Sequence, residues 1–233
     1  MKIALLGYGK MGKTIERIAI SRGHQIVLKV DKDLKDYDIT KADIAIDFSV
    51  PSAAVTNLSK ALKNNVPVIS GTTGWLKDYD DIFRLCKERD GAFIYASNFS
   101  IGVNIFFELN TQLAKMMSTL DKYNISMEEI HHTQKLDAPS GTAITLAESI
   151  ITHSNYDNWS LDSDKQNTIH IDAKRINDVP GTHRINYDSS VDGIEIKHTA
   201  KNREGFALGA VIAAEWLLGK TGIFTMKDVL NIG

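Results

Sequence analysis

A single cysteine, Cys86, stands in a chain of 233 residues, so no disulfide can form within it. Cys86 falls at helical spacing with Tyr79, Ile82 and Phe83, which marks it as a buried structural thiol rather than a nucleophile. Charge of one sign is equally scarce: 27 Lys and Arg against 29 Asp and Glu leave a formal net charge of −2. Without a basic excess there is no field to draw in nucleic acid or an anionic membrane, and neither is expected as a partner. No apolar run reaches the ~20 residues that a membrane-spanning helix needs. The opening stretch MKIALLGYGKMG is punctuated by glycine too early for a secretory signal peptide. There is no internal repeat and no low-complexity tract. These absences point to a cytoplasmic setting. What remains is ordinary for a globular protein, 43% apolar and 24% charged, in a length that accommodates two modest domains.

The first hundred residues alternate short β-branched runs with helical segments. KIALL (2–6), QIVLKV (25–30), ADIAIDF (42–48), VPVIS (66–70) and AFIYAS (92–97) read as strands, with helices predicted over 10–22, 51–65 and about 76–89. This alternation predicts a parallel sheet covered on both faces, with right-handed crossovers. After Asn98 the rhythm changes. A helix near 103–119 and a strand over 123–132 lead to a polar connection and a helix ending near 152. Residues 154–167 read as loop. TIHIDAKRI, THRINYDS and GIEIKHTA then alternate with the period of two expected of antiparallel strands. GFALGAVIAAEWLLGK near the end is helical again. The fold class is therefore α/β: an N-terminal Rossmann-type parallel-sheet domain, then a mixed α/β domain with an open sheet.

Gly7-Tyr8-Gly9-Lys10-Met11-Gly12 is a G-x-G-x-x-G run between the first predicted strand and the first predicted helix. In that context Gly7 permits the tight turn, Gly9 lets backbone approach a pyrophosphate, and Gly12 allows close packing of helix on strand. The helix start presents backbone N–H groups to the anion. Asp31, at the end of the second strand, is placed to accept hydrogen bonds from a ribose, and Lys32 beside it suits a 2′-phosphate. The pair leaves NADH and NADPH both open as cofactor. Two further strand ends, Gly71-Thr72-Thr73 and Ala96-Ser97-Asn98-Phe99, are candidate contacts for the nicotinamide half.

The densest polar chemistry lies in EEIHHTQKLDAPSGTA (128–143). His131 and His132 are adjacent on a predicted strand, so their side chains diverge, and no third spaced ligand accompanies them; a metal site is not expected. Ser140 lacks the G-x-S-x-G setting of a hydrolase nucleophile. What remains is an anion site with proton donors. Ser140, Gly141 and Thr142 open a helix whose N–H groups suit a carboxylate, whether or not Ser140 also caps it. Lys135 adds positive charge, and His131 and Lys135 are the candidate proton donors.

The run E-x-H-H-x-x-K-x-D-A-P-S-G-T-A strongly resembles the signature of the 4-hydroxy-tetrahydrodipicolinate reductase (dihydrodipicolinate reductase) family. GYGKMG, GTTG, NFSIGVN and GFALGAVIAAEWLLGKTGIFTMKDVL extend the resemblance over essentially the whole chain. It implies NADH- or NADPH-dependent reduction of a cyclic dicarboxylate in lysine and diaminopimelate biosynthesis. Loss of water would give a conjugated imine, hydride would add to the ring, and the resulting enamine would be protonated. It also implies a dinucleotide-binding domain (1–98) rejoined by 204–233, a substrate-binding and oligomerisation domain (99–203), and a homotetramer built through the open sheet. By the same resemblance His131 and Lys135 match catalytic positions, and His132, Gly141 and Thr142 match substrate contacts. Thr133 stands where an arginine commonly follows the histidine pair. Two other classes fit the residues alone: another nicotinamide enzyme such as an amino-acid dehydrogenase, and a non-catalytic NAD(P)-sensing regulator. Oxidation of a substrate without a dicarboxylate imine would mark the first, and cofactor binding without turnover the second.

Overall fold

The structure is a computed structural model that describes residues 1–31, 34, 36–162 and 166–233. Lys32, paired with Asp31 above, lies outside the described residues. Among the described residues, strands β1 (Lys2–Leu6), β2 (Gln25–Val30), β3 (Ile44–Asp47), β4 (Val68–Ser70), β5 (Ala92–Tyr95), β6 (Asn124–His131), β7 (Asn158–Ser160), β8 (Thr168–Arg175), β9 (Gly181–Asp188), β10 (Gly193–Ala200) and β11 (Gly222–Phe224) are interspersed with seven α-helices. These are α1 (Lys10–Ser21), α2 (Pro51–Lys63), α3 (Tyr79–Glu88), α4 (Ile101–Met117), α5 (Gly141–Ile151), α6 (Glu204–Leu217) and α7 (Met226–Leu230). The chain forms two compact units, Met1–Ile101 with Glu204–Gly233, and Gly102–Arg203.

The first unit is a six-stranded sheet in the order β11-β5-β4-β3-β1-β2, parallel throughout. Its strands read as continuous apolar runs because both faces are covered. Ile3 and Leu5 point into one core with α1 and α6, while Ala4 and Leu6 point into the other with α2 and α3. Helix α6 buries Ala207, Gly209, Ala210, Val211, Ala213, Ala214 and Leu217. A Cβ on Gly209 would come within 1.8 Å of the Phe99 carbonyl oxygen, so only glycine lets α6 approach this closely. Glu215 then ties α6 to Arg22 and His24, each at 2.7 Å. The chain reverses direction across the sheet between β1 and β3, so their C-terminal ends flank the crevice where such sheets bind ligands.

The second unit is a mixed sheet in the order β10-β9-β6-β8-β7. Helices α4 and α5 cover one face with Phe106, Ala114, Ala143, Leu146, Ala147 and Ile150, against Met127, Ile169, Ile171, Ile185 and Tyr187. The alternate residues carry charge: Lys174 pairs with Glu128 and Asp172, and Arg184 with Glu128 and Glu195. The structure corrects the sequence reading at three points. Strand β8 runs parallel to β6, not antiparallel; alternation reports a two-faced strand but not its direction. β7 lies inside the stretch read as loop, and β11 joins the first sheet as a sixth strand. Each has three residues, too few to show a period.

Candidate active site

In the first unit the glycine run turns sharply from β1 into α1. Gly7 has φ +100°, and a Cβ there would sit 2.2 Å from the Phe48 carbonyl oxygen. A Cβ on Gly12 would meet the Gly7 carbonyl oxygen at 2.3 Å, whereas one on Gly9 would enter open space. Two glycines are thus required by packing, and the middle one keeps the surface open before a helix start that no side chain caps. That is a cradle a diphosphate fits. Tyr8 turns its hydroxyl to Glu16 and accepts a hydrogen bond from Lys29 at 3.2 Å.

Asp47, at the end of β3, escaped the sequence reading and is fully buried. Its carboxylate accepts hydrogen bonds from Ser49 (2.7 Å), Asn57 (3.0 Å), Ser70 (3.0 Å) and Thr72 (2.7 Å). Burial pushes the carboxyl upward from its ordinary range, and these four donors pull the other way. The Thr72 side chain is therefore committed to holding the Gly71–Thr73 loop against β3. Phe99, 1% exposed, is likewise part of the core, its ring 5.8 Å from that of Phe48. Asn98 accepts from the Ser100 N–H at 2.9 Å.

In the second unit strand periodicity and register assemble the polar cluster. Met127, Glu129 and His131 share the helix-covered face of β6, and Glu129 is registered opposite His183 on β9, His131 beside Arg175 on β8. Glu129 is wholly buried, His131 8% exposed and His183 5% exposed. The Ser140 N–H donates to both Glu129 oxygens, at 3.1 and 3.0 Å, and Arg175 Nη2 donates to Oε1 at 3.1 Å. Glu129 Oε2 lies 3.4 Å from His131 Nδ1 and 3.7 Å from His183 Nε2. Arg175 also donates to the carbonyls of Lys135 (3.3 Å) and Asp137 (2.5 Å), clamping the loop that carries the lysine. Lys135 Nζ binds both oxygens of Asp137, at 2.8 and 2.7 Å, which holds that carboxyl below its usual range.

Ser140 caps α5: its Oγ accepts from the Ala143 N–H at 3.2 Å and lies 3.2 Å from His183 Nε2. A Cβ on Gly141 would enter open space, so the helix start is accessible there. Strand β6 ends at His131, one residue short of the predicted strand, and His132 just beyond it has its own partner, with Nε2 3.4 Å from Arg203 Nη2. Together with Lys201 they line a basic pocket of about 310 Å³. Burial pushes His183 down to about 3, with the charges of His131, His198 and Lys135 adding to the effect. Burial also lowers His131, against the opposing pull of Glu129.

The expectation that no third ligand-type group accompanies the histidines needs correcting. Glu129, His131 and His183 place ligand-type atoms within 4.8 Å of one another. The carboxylate is already engaged by a guanidinium and a backbone N–H, and a dication would have to sit beside Arg175. We therefore read the trio as a hydrogen-bonding cluster. Sequence reasoning missed Glu129, Arg175 and His183. The E-x-H spacing could have revealed Glu129; the other two need the strand register.

A Rossmann-type unit with an open glycine cradle, in one chain with a basic, histidine-bearing loop at a helix start, defines a nicotinamide-dependent oxidoreductase. The family profile for the dihydrodipicolinate reductase N-terminus matches residues 1–99, and that for its C-terminus residues 102–230. The 4-hydroxy-tetrahydrodipicolinate reductase of Christiangramia forsetii is 59% identical over 99% of this chain and 98% of its own length. That of Methanocaldococcus jannaschii is 35% identical over 98% and 81%. The dipicolinate-bound dihydrodipicolinate reductase from Paenisporosarcina sp. TG-14 shares the fold, with a TM-score of 0.79 at 21% identity over 97% of both chains. The chain belongs to the dihydrodipicolinate reductase family. It is an enzyme of lysine biosynthesis that uses NADH or NADPH to reduce 4-hydroxy-tetrahydrodipicolinate.

Proposed function

We propose that the loop from His131 to Thr142 binds the cyclic dicarboxylate and manages its protons, while Gly7–Gly12, Asp31 and the Gly71–Thr73 and Ala96–Phe99 turns hold the nicotinamide cofactor. The dinucleotide-binding domain is then the first unit and the substrate domain the second. The observation that carries this reading is the clamp of Lys135, Asp137, His131 and the start of α5 around Glu129 and Arg175. One substrate carboxylate takes the N–H groups at Gly141 and Thr142, displacing Asp137 from Lys135. His132 serves the other end of the dianion from the basic pocket it shares with Lys201 and Arg203. Bound NADH or NADPH supplies the hydride. Lys135 delivers the proton to the reduced ring, and His131, kept neutral by burial, takes the ring C–H proton lost in the dehydration and passes it to the hydroxyl that leaves as water. The test is a coupled assay, with dihydrodipicolinate synthase product plus NADH or NADPH followed at the nicotinamide absorbance. Oxidation of NAD(P)H that does not depend on that product would sink the reading.

Thr142→Val should raise KM for the dicarboxylate more than it lowers kcat, because a hydroxyl at a helix start binds ground state and transition state alike. Substrate titration checks this; an unchanged KM with lost kcat would move Thr142 to the transition state. Both cofactors should turn over with kcat/KM within roughly tenfold of each other. Asp31 favours the free ribose and Lys32 the 2′-phosphate, two opposed single-charge preferences of similar size, so neither dominates. Lys32→Ala should weaken NADPH selectively. An equal loss for both cofactors would remove Lys32 from the site.

The homotetramer belongs to the same reading. The sheet face opposite α4 and α5 carries Asp172, Lys174 and Glu195, whose side chains are 44–49% exposed, and its ion pairs suit burial against another copy. A monomer in sedimentation equilibrium at assay concentration would exclude it. We place the enzyme in the cytoplasm, a setting that a single free thiol fits. Among the described residues no helix is long and apolar enough to cross a membrane.

A further inference from the structure

We infer that Glu129 is a positioning residue of the reaction, one buried carboxylate that fixes both the tautomer of His131 and the start of α5. The inference rests on the proposed role of His131 as a proton-handling group. His131 Nδ1 is buried and makes no hydrogen bond of normal length; the group beside it is Glu129 Oε2 at 3.4 Å. A carboxylate paired with Arg175 can only accept. An Nδ1 lone pair facing it would be repelled, so the proton sits on Nδ1 and Nε2 keeps its lone pair. Contacts of this kind are commonly long in the free enzyme and tighten when substrate is bound. The Nε2 edge faces Gly181, where a Cβ would lie 3.1 Å away, so the fold keeps a glycine beside the atom that takes up the proton.

The same carboxylate accepts twice from the Ser140 N–H. The carboxylate-binding helix start and the proton-accepting ring are therefore referenced to one point. A shift of Glu129 would displace both, which couples substrate grip to proton transfer. The charged and titratable groups facing His131 are Glu129 on its own strand, Arg175 on β8, His183 on β9, and Lys135 and Asp137 on the loop. Of these, Glu129 and Asp137 favour the charged ring, and Lys135 and Arg175 oppose it.

The first measurement needs no variant. Side-chain ¹⁵N shifts of His131, assigned by their loss in His131→Asn, should show Nδ1 protonated and Nε2 unprotonated near pH 7.5. The opposite tautomer overturns the inference. In Glu129→Gln, kcat should fall between roughly 10- and 100-fold, less than the 10²–10⁴ of losing an acid–base group outright. The KM for the dicarboxylate should rise, and the acid limb of the kcat profile should move to lower pH, because the charge that favours the imidazolium is gone. Glu129→Asp should restore the limb but only part of kcat. A loss of kcat with the limb in place would make Glu129 merely structural and overturn the inference. If Glu129→Gln does not fold, the wild-type tautomer decides. Full turnover in His131→Ala would instead sink the proposed role of His131 and leave the tautomer result standing.

Discussion

Lys135→Ala and His131→Ala will each lower kcat by about 10²–10⁴, the usual cost of removing a general acid–base group, with KM for NADH and NADPH little changed. The two losses should differ in kind. In the proposed role Lys135 would offer both a charge and a proton, and Asp137 holds it at 2.7–2.8 Å. Its removal costs substrate binding as well as turnover, so KM for the dicarboxylate rises too. His131 is buried, and burial depresses its basicity. In the proposed role it would contribute proton transfer rather than charge, so its loss should appear almost wholly in kcat. Cofactor KM should stay put because the residues proposed to hold the cofactor, the glycine run and Asp31, belong to the other compact unit. Steady-state kinetics with each substrate varied in turn separates these effects. Near-normal turnover in both variants would falsify the assignment.

Much of this arrangement is legible in the sequence, and the limits have physical causes. The period of two in β6 puts Met127, Glu129 and His131 on one face, so the companion of His131 is readable two residues upstream. His183 and Arg175 were not, because a local pattern carries no information about which strands become neighbours or in what register. The glycine run is legible position by position, since Gly7 and Gly12 answer steric demands that follow from a strand-turn-helix context, while Gly9 leaves the surface open. Neighbouring residues of the same motifs carry a second load that no turn pattern shows: the Thr72 hydroxyl holds Asp47, and Phe99 packs in the core. A buried carboxylate satisfied entirely by hydroxyls and an amide has no signature in composition. The return of α6 to the first sheet is similar. Its small and apolar residues demand burial, but Gly209 against Phe99 becomes visible only once the helix is docked.

The second unit should lose stability as pH falls from 7 towards 4, with His183 as a principal cause. Its folded pKa of about 3 lies far below the ordinary histidine value near 6.5. Below pH 6.5 the unfolded chain takes up a proton that the folded unit refuses, so the unfolded state gains. The stabilisation is fully present above pH 6.5 and is lost progressively as pH falls towards 3. A shift of this size corresponds to about 5 kcal/mol at most. Glu129 Oε2, 3.7 Å from Nε2, favours the charged ring and trims that figure. Between pH 7 and pH 5 the His183 contribution should still change by about 2 kcal/mol. Asp47 in the other unit works with the opposite sign: its raised carboxyl favours the folded state at low pH and loses that contribution as pH rises. A melt of the whole chain would mix the two, so the readout must be local. Amide hydrogen exchange in β9 and α5, corrected for intrinsic pH dependence, reports on the second unit alone. Wild type should lose protection between pH 7 and pH 5 while His183→Asn, which has no ring to titrate, loses much less. Equal losses in the two proteins would show that some other group senses the acid.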